Sequence, residues 1–326
     1  MSVPILCLRP ETDFQRADAL PPASLQVTYR ALSDEDVPKL MQESHGLVIP
    51  AVGPPLPVSL FERATVKLVQ VTGAGLDRLD LAYLKEQGIA VANVPGGSNS
   101  AVAEYVVTVA SVLLRRLAWA NEEIRAGNYR EYRSRMIAEN LAGLDGLAVG
   151  IVGFGTIGLA VAEAFYERGC SILYYDPAPK DLQAAVMLSA RGTSLDELLQ
   201  TADVVTLHLP LSESTKRLIG AKELARMKAG AVLIQASRGG IVDEAALANC
   251  LSAGKMLGAA VDVYSDEPPP PNHPLLVLCG DAAKRVLLTP HIAGVTRQAT
   301  KFLCRKAWEN VQRVLVENQA PLNTAF

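Results

Sequence analysis

Histidine is scarce in this chain, with four among 326 residues: His45, His208, His273 and His291. Chemistry that needs an imidazole therefore has few places to occur. Cysteine is little used too. The five thiols, Cys7, Cys170, Cys250, Cys279 and Cys304, are odd in number, scattered and without a CxxC pair, which argues against a disulfide framework or a thiolate metal centre and for reduced thiols in a cytoplasmic protein. No long apolar run survives inspection, because Arg115 and Arg116 interrupt the best candidate, AVAEYVVTVASVLLRRLAWA, and Glu104 lies near its start. No membrane-spanning helix is expected. The N-terminal MSVPILCLRPE lacks a basic lead and an apolar stretch long enough for a signal peptide. An excess of one charge is also missing. With 31 Lys+Arg against 34 Asp+Glu and a net charge of −3, nothing draws the chain as a whole to nucleic acid or to an anionic membrane.

What is present is a globular balance, 49% apolar and 20% charged residues, in a chain long enough for about two domains. Short β-branched runs alternate with amphipathic segments throughout, the pattern of parallel α/β sheets. A first series reads ILCLR (5–9), LQVTY (25–29), GLVIPA (46–51), VKLVQV (66–71) and IAVANV (89–94). One intervening helix is expected to open on Ser33-x-x-Asp36 and another to follow Pro57. A second series reads LAVGIVG (147–153), SILYYD (171–176), VVTLHLP (204–210), AVLIQAS (231–237), GAAVDVY (258–264) and VLLTPH (286–291), enough for a dinucleotide-binding sheet of six strands. Between the two series lie a long helical segment, 101–117, and a polar, aromatic and basic arm without strand pattern, read as a protrusion. The chain finishes in one long helical pattern, 296–318, that could cap either sheet, and EPPPPNHP (267–274) reads as a stiff loop.

The strongest local motif is Gly153-Phe154-Gly155-Thr156-Ile157-Gly158, which follows one strand and opens a helix. The first glycine permits the tight turn, the second lets backbone approach a pyrophosphate, and the third lets helix pack on strand. The helix N-terminus then presents N–H groups and a positive dipole end. The next strand closes on Asp176, near the customary spacing of about 20 residues for an acid that binds ribose hydroxyls and repels a 2′-phosphate. Pro177, Ala178 and Pro179 follow, with no basic residue before Lys180, which favours NAD over NADP.

Ligands of open α/β sheets sit beyond the carboxyl ends of the strands. Three such ends carry polar groups: Arg238-Gly239-Gly240, Asp262 leading to Glu267, and His291 after Pro290. Singly, each has a bland reading as a solvated or satisfied turn residue; at successive strand ends beside a nucleotide site they form a candidate constellation. His45 and His273 read as surface residues, His208 as packed or close to cofactor, and Asp281 and Glu244 as solvated carboxylates.

Seven stretches together resemble the D-isomer-specific 2-hydroxyacid dehydrogenase family: VTGAGLDRLDL (71–81), NVPGGSNSAVAEYVV (93–107), GLAVGIVGFGTIG (146–158), LHLPLSEST (207–215), LIQASRGGIVDEAAL (233–247), GAAVDVYSDEP (258–268) and LLTPHIAGVT (287–296). The resemblance implies two doubly wound α/β domains. A flavodoxin-like substrate domain, 1–98 plus 293–326, would receive a Rossmann NAD-binding domain, 99–292, and an arm at about 119–142 would serve a homodimer. It also implies roles. Arg238 would bind the substrate carboxylate and keto oxygen, His291 would be the acid/base, Glu267 its partner, and backbone N–H groups near Ala74 and Gly75 would cradle the carboxylate. Cofactor contacts would fall on the glycine motif with Thr156 and Ile157, on Asp176, His208, Pro210, Thr215, Ala236, Ser237, Arg238, His291 and Gly294, and on Asp262 for the nicotinamide carboxamide.

The chemistry agrees: a 2-keto acid needs a hydride and a proton, imidazolium can supply the proton, and a guanidinium can grip a carboxylate by two hydrogen bonds. The chain departs from the family pattern at Gln235, where asparagine is usual. It lacks the formate dehydrogenase Gln–His pair, because Glu267 stands there, and near Ala74 it lacks the lysine of phosphite dehydrogenases. The expected function is NAD-dependent interconversion of a small anionic 2-keto acid and a D-2-hydroxy acid, of the hydroxypyruvate/glyoxylate reductase kind, with the domains closing over substrate. An NAD-sensing co-repressor on the same fold, or a phosphite dehydrogenase-like enzyme, is the alternative. Arg125, Arg130, Arg133 and Arg135 make the arm basic; it reads as solvated, or else one of them selects a second anionic group.

Overall fold

The computed structural model describes residues 2–178 and 181–326, and its contacts divide the chain into two compact units, Met1–Ser98 with Val295–Phe326, and Asn99–Gly294. The first unit holds β1 (Val3–Cys7), α1 (Glu11–Arg16), β2 (Leu25–Tyr29), α2 (Val37–Glu43), β3 (Gly46–Ile49), β4 (Leu68–Val71), α3 (Leu81–Glu86) and β5 (Ala90–Ala92). Its five strands are parallel in the order β2-β1-β3-β4-β5, the flavodoxin-like winding. Every residue of β3 and β4 is buried, as expected where helices cover both faces of a parallel sheet.

The C-terminal helix, Arg297–Leu315, opens on Thr296, whose hydroxyl accepts from Ala299 N, and packs Cys304, Trp308 and Val311 against Ile5 and Leu68 of this first sheet and Phe14 of α1. That settles which sheet the helix caps. Gln70, the one polar residue of β4, is fully buried and accepts from Asn310 Nδ2 of that helix at 2.6 Å, so its amide is not left unsatisfied.

Two local expectations for this unit change. Ser33 does not open α2: Asp36 is itself the N-cap and makes no side-chain cap bond. Its carboxylate instead accepts from Arg30 Nε at 2.9 and 3.0 Å, a charge-assisted pair that wins over a neutral cap. The segment after Pro57 forms only a short 3₁₀ helix, Val58–Phe61.

The second unit begins with α4 (Asn99–Leu114), α5 (Leu117–Arg125) and α6 (Tyr129–Ala138). It continues as β6 (Ala148–Val152), α7 (Thr156–Tyr166), β7 (Ser171–Tyr175), α8 (Leu182–Met187), β8 (Arg191–Gly192), α9 (Leu195–Thr201) and β9 (Val204–Leu207). It ends with α10 (Ala221–Arg226), β10 (Val232–Gln235), α11 (Glu244–Ser252), β11 (Gly258–Val261), α12 (Gly280–Lys284) and β12 (Val286–Leu288). The sheet is parallel, in the order β12-β11-β10-β9-β6-β7-β8. It has seven strands rather than six, because the two-residue β8 is too short to show alternation in the sequence. The winding reverses between β6 and β9, which creates the switch point where dinucleotides bind.

The helical segment 101–117 is not continuous. Arg116 takes a left-handed conformation, φ 51°, and separates α4 from α5. The arm is not a wholly solvated projection either. Trp119 is buried under the cationic groups of Arg116, Arg135 and Lys284, and Lys284 Nζ donates to Glu123 at 3.1 Å, tying α5 to α12. Of the four arm arginines, Arg125 donates to Asn121 Oδ1 at 3.4 Å and Arg135 to Glu139 at 2.7 Å, while Arg130 and Arg133 are exposed on α6.

Candidate active site

The glycine turn connects β6 to α7 at the switch point. A β-carbon on Gly153, which has φ +94°, would lie 2.5 Å from the His208 carbonyl oxygen, and one on Gly158 would lie 2.0 Å from the Gly153 oxygen. The turn is thus pressed against the loop after β9 on one side and against its own helix on the other. A β-carbon on Gly155 would meet nothing within 4 Å. This second glycine opens onto free space at the N-cap of α7 and supplies no side chain to satisfy the first-turn N–H groups of Thr156 and Ile157. Such a cradle suits a pyrophosphate.

Asp176, just beyond β7, accepts from Phe154 N at 2.7 Å and Ala178 N at 2.8 Å. The carboxylate is thereby fixed against the glycine turn, where it suits the ribose of a dinucleotide lacking a 2′-phosphate. Pro179 and Lys180, which entered the preference for NAD, lie outside the described residues.

Beyond β9, His208 Nε2 pairs with Thr206 Oγ1 at 2.9 Å and Nδ1 is buried without a partner. Burial pulls its pKa down to about 3, so the ring is neutral and unsuited to donate a proton near neutral pH. Thr215 folds the same loop: its hydroxyl donates to the Pro210 carbonyl at 2.7 Å and accepts from Ser212 N at 2.8 Å.

At the end of β10, Gln235 organises the turn that carries Arg238. Its Nε2 donates to the Arg238 carbonyl at 2.8 Å and its Oε1 accepts from Ser237 Oγ at 2.7 Å. The departure from asparagine at this position therefore keeps the turn bonded. Half-buried Ala236 packs on the core, buried Ser237 spends its hydroxyl on Gln235, and Arg238 Nη1 donates to the Ser237 carbonyl at 2.8 Å.

β12 stops at Leu288, and His291 lies three residues further on, in a turn with φ 55°. Non-glycine residues adopt this left-handed region at a cost of roughly 1–2 kcal/mol. Asp262 holds the turn there. Its carbonyl accepts from His291 N at 2.8 Å, while its fully buried carboxylate accepts from Ile292 N and Ala293 N at 2.8 Å each and from Thr289 Oγ1 at 2.5 Å. The Thr289 hydroxyl, having donated to Asp262, accepts from Tyr105 OH of α4 at 2.6 Å. The carboxamide role expected of Asp262 meets a side chain with no exposed surface and three of its roughly four acceptor positions filled. Half-buried Gly294 follows in the same turn.

Glu267 faces His291 directly. Its carboxylate oxygens lie 2.9 and 3.2 Å from His291 Nδ1, and Tyr264 N donates to Oε1 at 3.1 Å. Since Nδ1–H donates to the carboxylate, Nε2 is the nitrogen left to exchange a proton. The side chains are 24% and 29% exposed, so both remain accessible to a ligand.

Two residues read as surface groups belong to this neighbourhood. His273, in the proline loop, is buried, and Glu244, at the first position of α11, is 13% exposed. Glu244 Oε1 accepts from Ser265 N at 2.8 Å, and Oε2 lies 3.1 Å from His273 Nε2 without an aligned hydrogen bond. His45 and Asp281 are exposed as expected.

Ala74 and Gly75 belong to the first unit, in the loop after β4. Arg9 Nη1 reaches Thr72 Oγ1 at 3.0 Å, Asn93 Nδ2 donates to the Ala74 carbonyl at 2.7 Å, and buried Arg78 bridges the Pro50 and Pro54 carbonyls at 2.9 Å each. Backbone here is held by its carbonyls, and Ala74 is exposed.

Residues 107–293 match the family model "D-isomer specific 2-hydroxyacid dehydrogenase, NAD binding domain". Over 256 residues the chain is 35% identical to a glyoxylate reductase of Thermofilum pendens, covering 78% of this chain and 74% of that one. It is also 35% identical over 234 residues to a D-3-phosphoglycerate dehydrogenase of Archaeoglobus fulgidus, covering 72% of this chain but only 42% of that longer enzyme. Among solved structures, a D-lactate dehydrogenase of Aquifex aeolicus complexed with NAD and lactic acid superposes with a TM-score of 0.83 at 26% identity, covering 97% of this chain and 96% of that one.

Proposed function

This chain belongs to the D-isomer specific 2-hydroxyacid dehydrogenase family, whose members are NAD-dependent oxidoreductases, and from that premise we propose that it interconverts a small 2-keto acid and a D-2-hydroxy acid with His291 as acid and base. The observation that carries this reading is the pairing of His291 Nδ1 with Glu267 at 2.9 Å. The carboxylate orients the imidazole through Nδ1, and Nε2 gives its proton to the developing alkoxide. In the reverse direction the neutral imidazole removes the hydroxyl proton.

NAD, when bound, supplies or accepts the hydride at the substrate carbon. Gly155, Thr156 and Ile157 would hold its pyrophosphate and Asp176 its ribose hydroxyls. Arg238 would grip the substrate carboxylate and polarise the carbonyl. Asp262, through Ile292 N and Ala293 N, keeps the imidazole in place.

Steady-state reduction of glyoxylate, hydroxypyruvate, pyruvate and larger 2-keto acids by NADH tests the reading. Turnover of at least one, with little use of NADPH, is expected. NADH binding without turnover of any would contradict it and favour a sensing role.

Two finer points belong to the same proposal. The arm exposes Leu117, Ile124, Tyr129 and Ile137, an apolar set suited to a homodimer, which sedimentation would test. Five free cysteines, four of them buried, suit a cytoplasmic setting. Among the described residues no helix is long and apolar enough to cross a membrane.

A further inference from the structure

Glu267 stands on a short turn, Tyr264 to Glu267, and two carboxylates bind successive N–H groups of that turn. Tyr264 N donates to Glu267 Oε1 at 3.1 Å, and Ser265 N donates to Glu244 Oε1 at 2.8 Å. The second carboxylate comes from α11, outside the turn, and is largely buried, at 13% exposure.

His273 supports it from behind. Leu275 N donates to His273 Nδ1 at 3.3 Å, which leaves the ring proton on Nε2, 3.1 Å from Glu244 Oε2. The same ring meets Tyr264 edge-on, with centroids 5.6 Å apart and planes at 88°. Tyr264 is anchored at its other end, where its hydroxyl reaches the Thr289 carbonyl at 3.1 Å, two residues before His291. The turn that presents Glu267 is therefore held on one side by the Glu244–His273 pair and on the other by the turn that presents His291.

A carboxylate that only capped α11 would not need a buried imidazole beside it, and that cap is already supplied by Asp243, which accepts from Ala246 N. We infer that Glu244 is a positioning residue for the reaction, buttressed by His273: it fixes the Tyr264–Glu267 turn so that Glu267 stays on the Nδ1 edge of His291. This rests on the function proposed above. Glu244 does not touch substrate or cofactor and acts only through Glu267.

The test is a double-mutant cycle between Glu244→Ala and Glu267→Gln, read as kcat per NADH-binding site with NADH KM measured alongside. Glu244→Ala should lower kcat on the order of tenfold or more, in the range typical of groups that orient a reacting residue, with NADH KM unchanged. The double variant should be no slower than Glu267→Gln alone, because both changes disable the same pair. Glu244→Gln, which keeps an acceptor for Ser265 N, should recover most of the lost kcat. Should Glu244→Ala fail to fold, His273→Asn takes its place in the cycle with the same expectation.

A kcat per binding site equal to wild type, or losses that multiply in the double variant, would overturn the inference and leave the pair a merely structural one. Wild-type protein that binds NADH but reduces no 2-keto acid would instead overturn the proposed function, and this inference with it.

Discussion

Gly239 lies so close to Tyr264 that a β-carbon on it would sit 1.8 Å from the Tyr264 carbonyl oxygen. The turn carrying Arg238 and the turn carrying Glu267 are therefore in backbone contact. Replacing Gly239 with alanine must push them apart, since backbone cannot give way as a flexible side chain can. Gly239→Ala is expected to destabilise the protein by about 1–3 kcal/mol, the usual range for overpacking, and to lower kcat/KM for the keto acid more than it weakens NADH binding. Thermal unfolding and steady-state kinetics on the same preparation would check both.

Asp262 gives a second prediction. Asp262→Asn keeps the shape but sets an amide donor where Ile292 N or Ala293 N now donates, so one buried N–H loses its acceptor. A loss of about 1–3 kcal/mol is expected, the cost of an unsatisfied buried group. Denaturant unfolding would measure it, and Asp262→Asn as stable as wild type would show that the turn does not depend on this carboxylate.

A third concerns the cofactor. Asp176→Ala removes a charged acceptor from Phe154 N and from the position proposed to bind the ribose, and charge-assisted bonds contribute about 1.5–3 kcal/mol each. NADH affinity should fall about tenfold to a hundredfold, NADPH affinity much less, and discrimination between the two should shrink. Fluorescence titration with both nucleotides reads the change directly.

His208 predicts a pH effect on stability. Its folded pKa, pulled to about 3 by burial, lies below the ordinary histidine value of about 6.5. Between those values the unfolded chain binds a proton that the folded protein refuses, so stability is highest above about pH 6.5 and falls as pH drops toward 3. His208→Asn should flatten that part of the curve. Equal slopes of Tm against pH for the two proteins between pH 7 and 4.5 would contradict the assignment of a neutral, buried ring.

Much of this was legible in the sequence because its signals are local. The β-branched runs around Val48, Val69 and Val205 mark buried strands, and the spacing of Gly153, Gly155 and Gly158 after β6 marks a phosphate turn. What was not legible depends on contacts made at a distance. Arg191 and Gly192 form a strand only because they pair with Leu173 and Tyr174. His273 sits in a proline-rich loop that composition places at the surface, yet tertiary packing on Tyr264 buries it. Glu244 follows an N-cap on a helix, where a solvated acid is the common case, and only the fold brings Ser265 N to it. Ser33 fitted a capping pattern, but Arg30 claims Asp36 instead. The hub role of Asp262 likewise emerges only once Thr289, Ile292 and Ala293 are brought round it.

The most direct test of the account compares wild type with His291→Ala in NADH-dependent reduction of the best 2-keto acid of the panel, with NADH affinity measured on both. Removing a general acid is expected to cost about 10²–10⁴-fold in kcat, with NADH binding retained. A His291→Ala protein that reduces the keto acid within a few-fold of wild type would contradict the assignment of His291 as the proton donor.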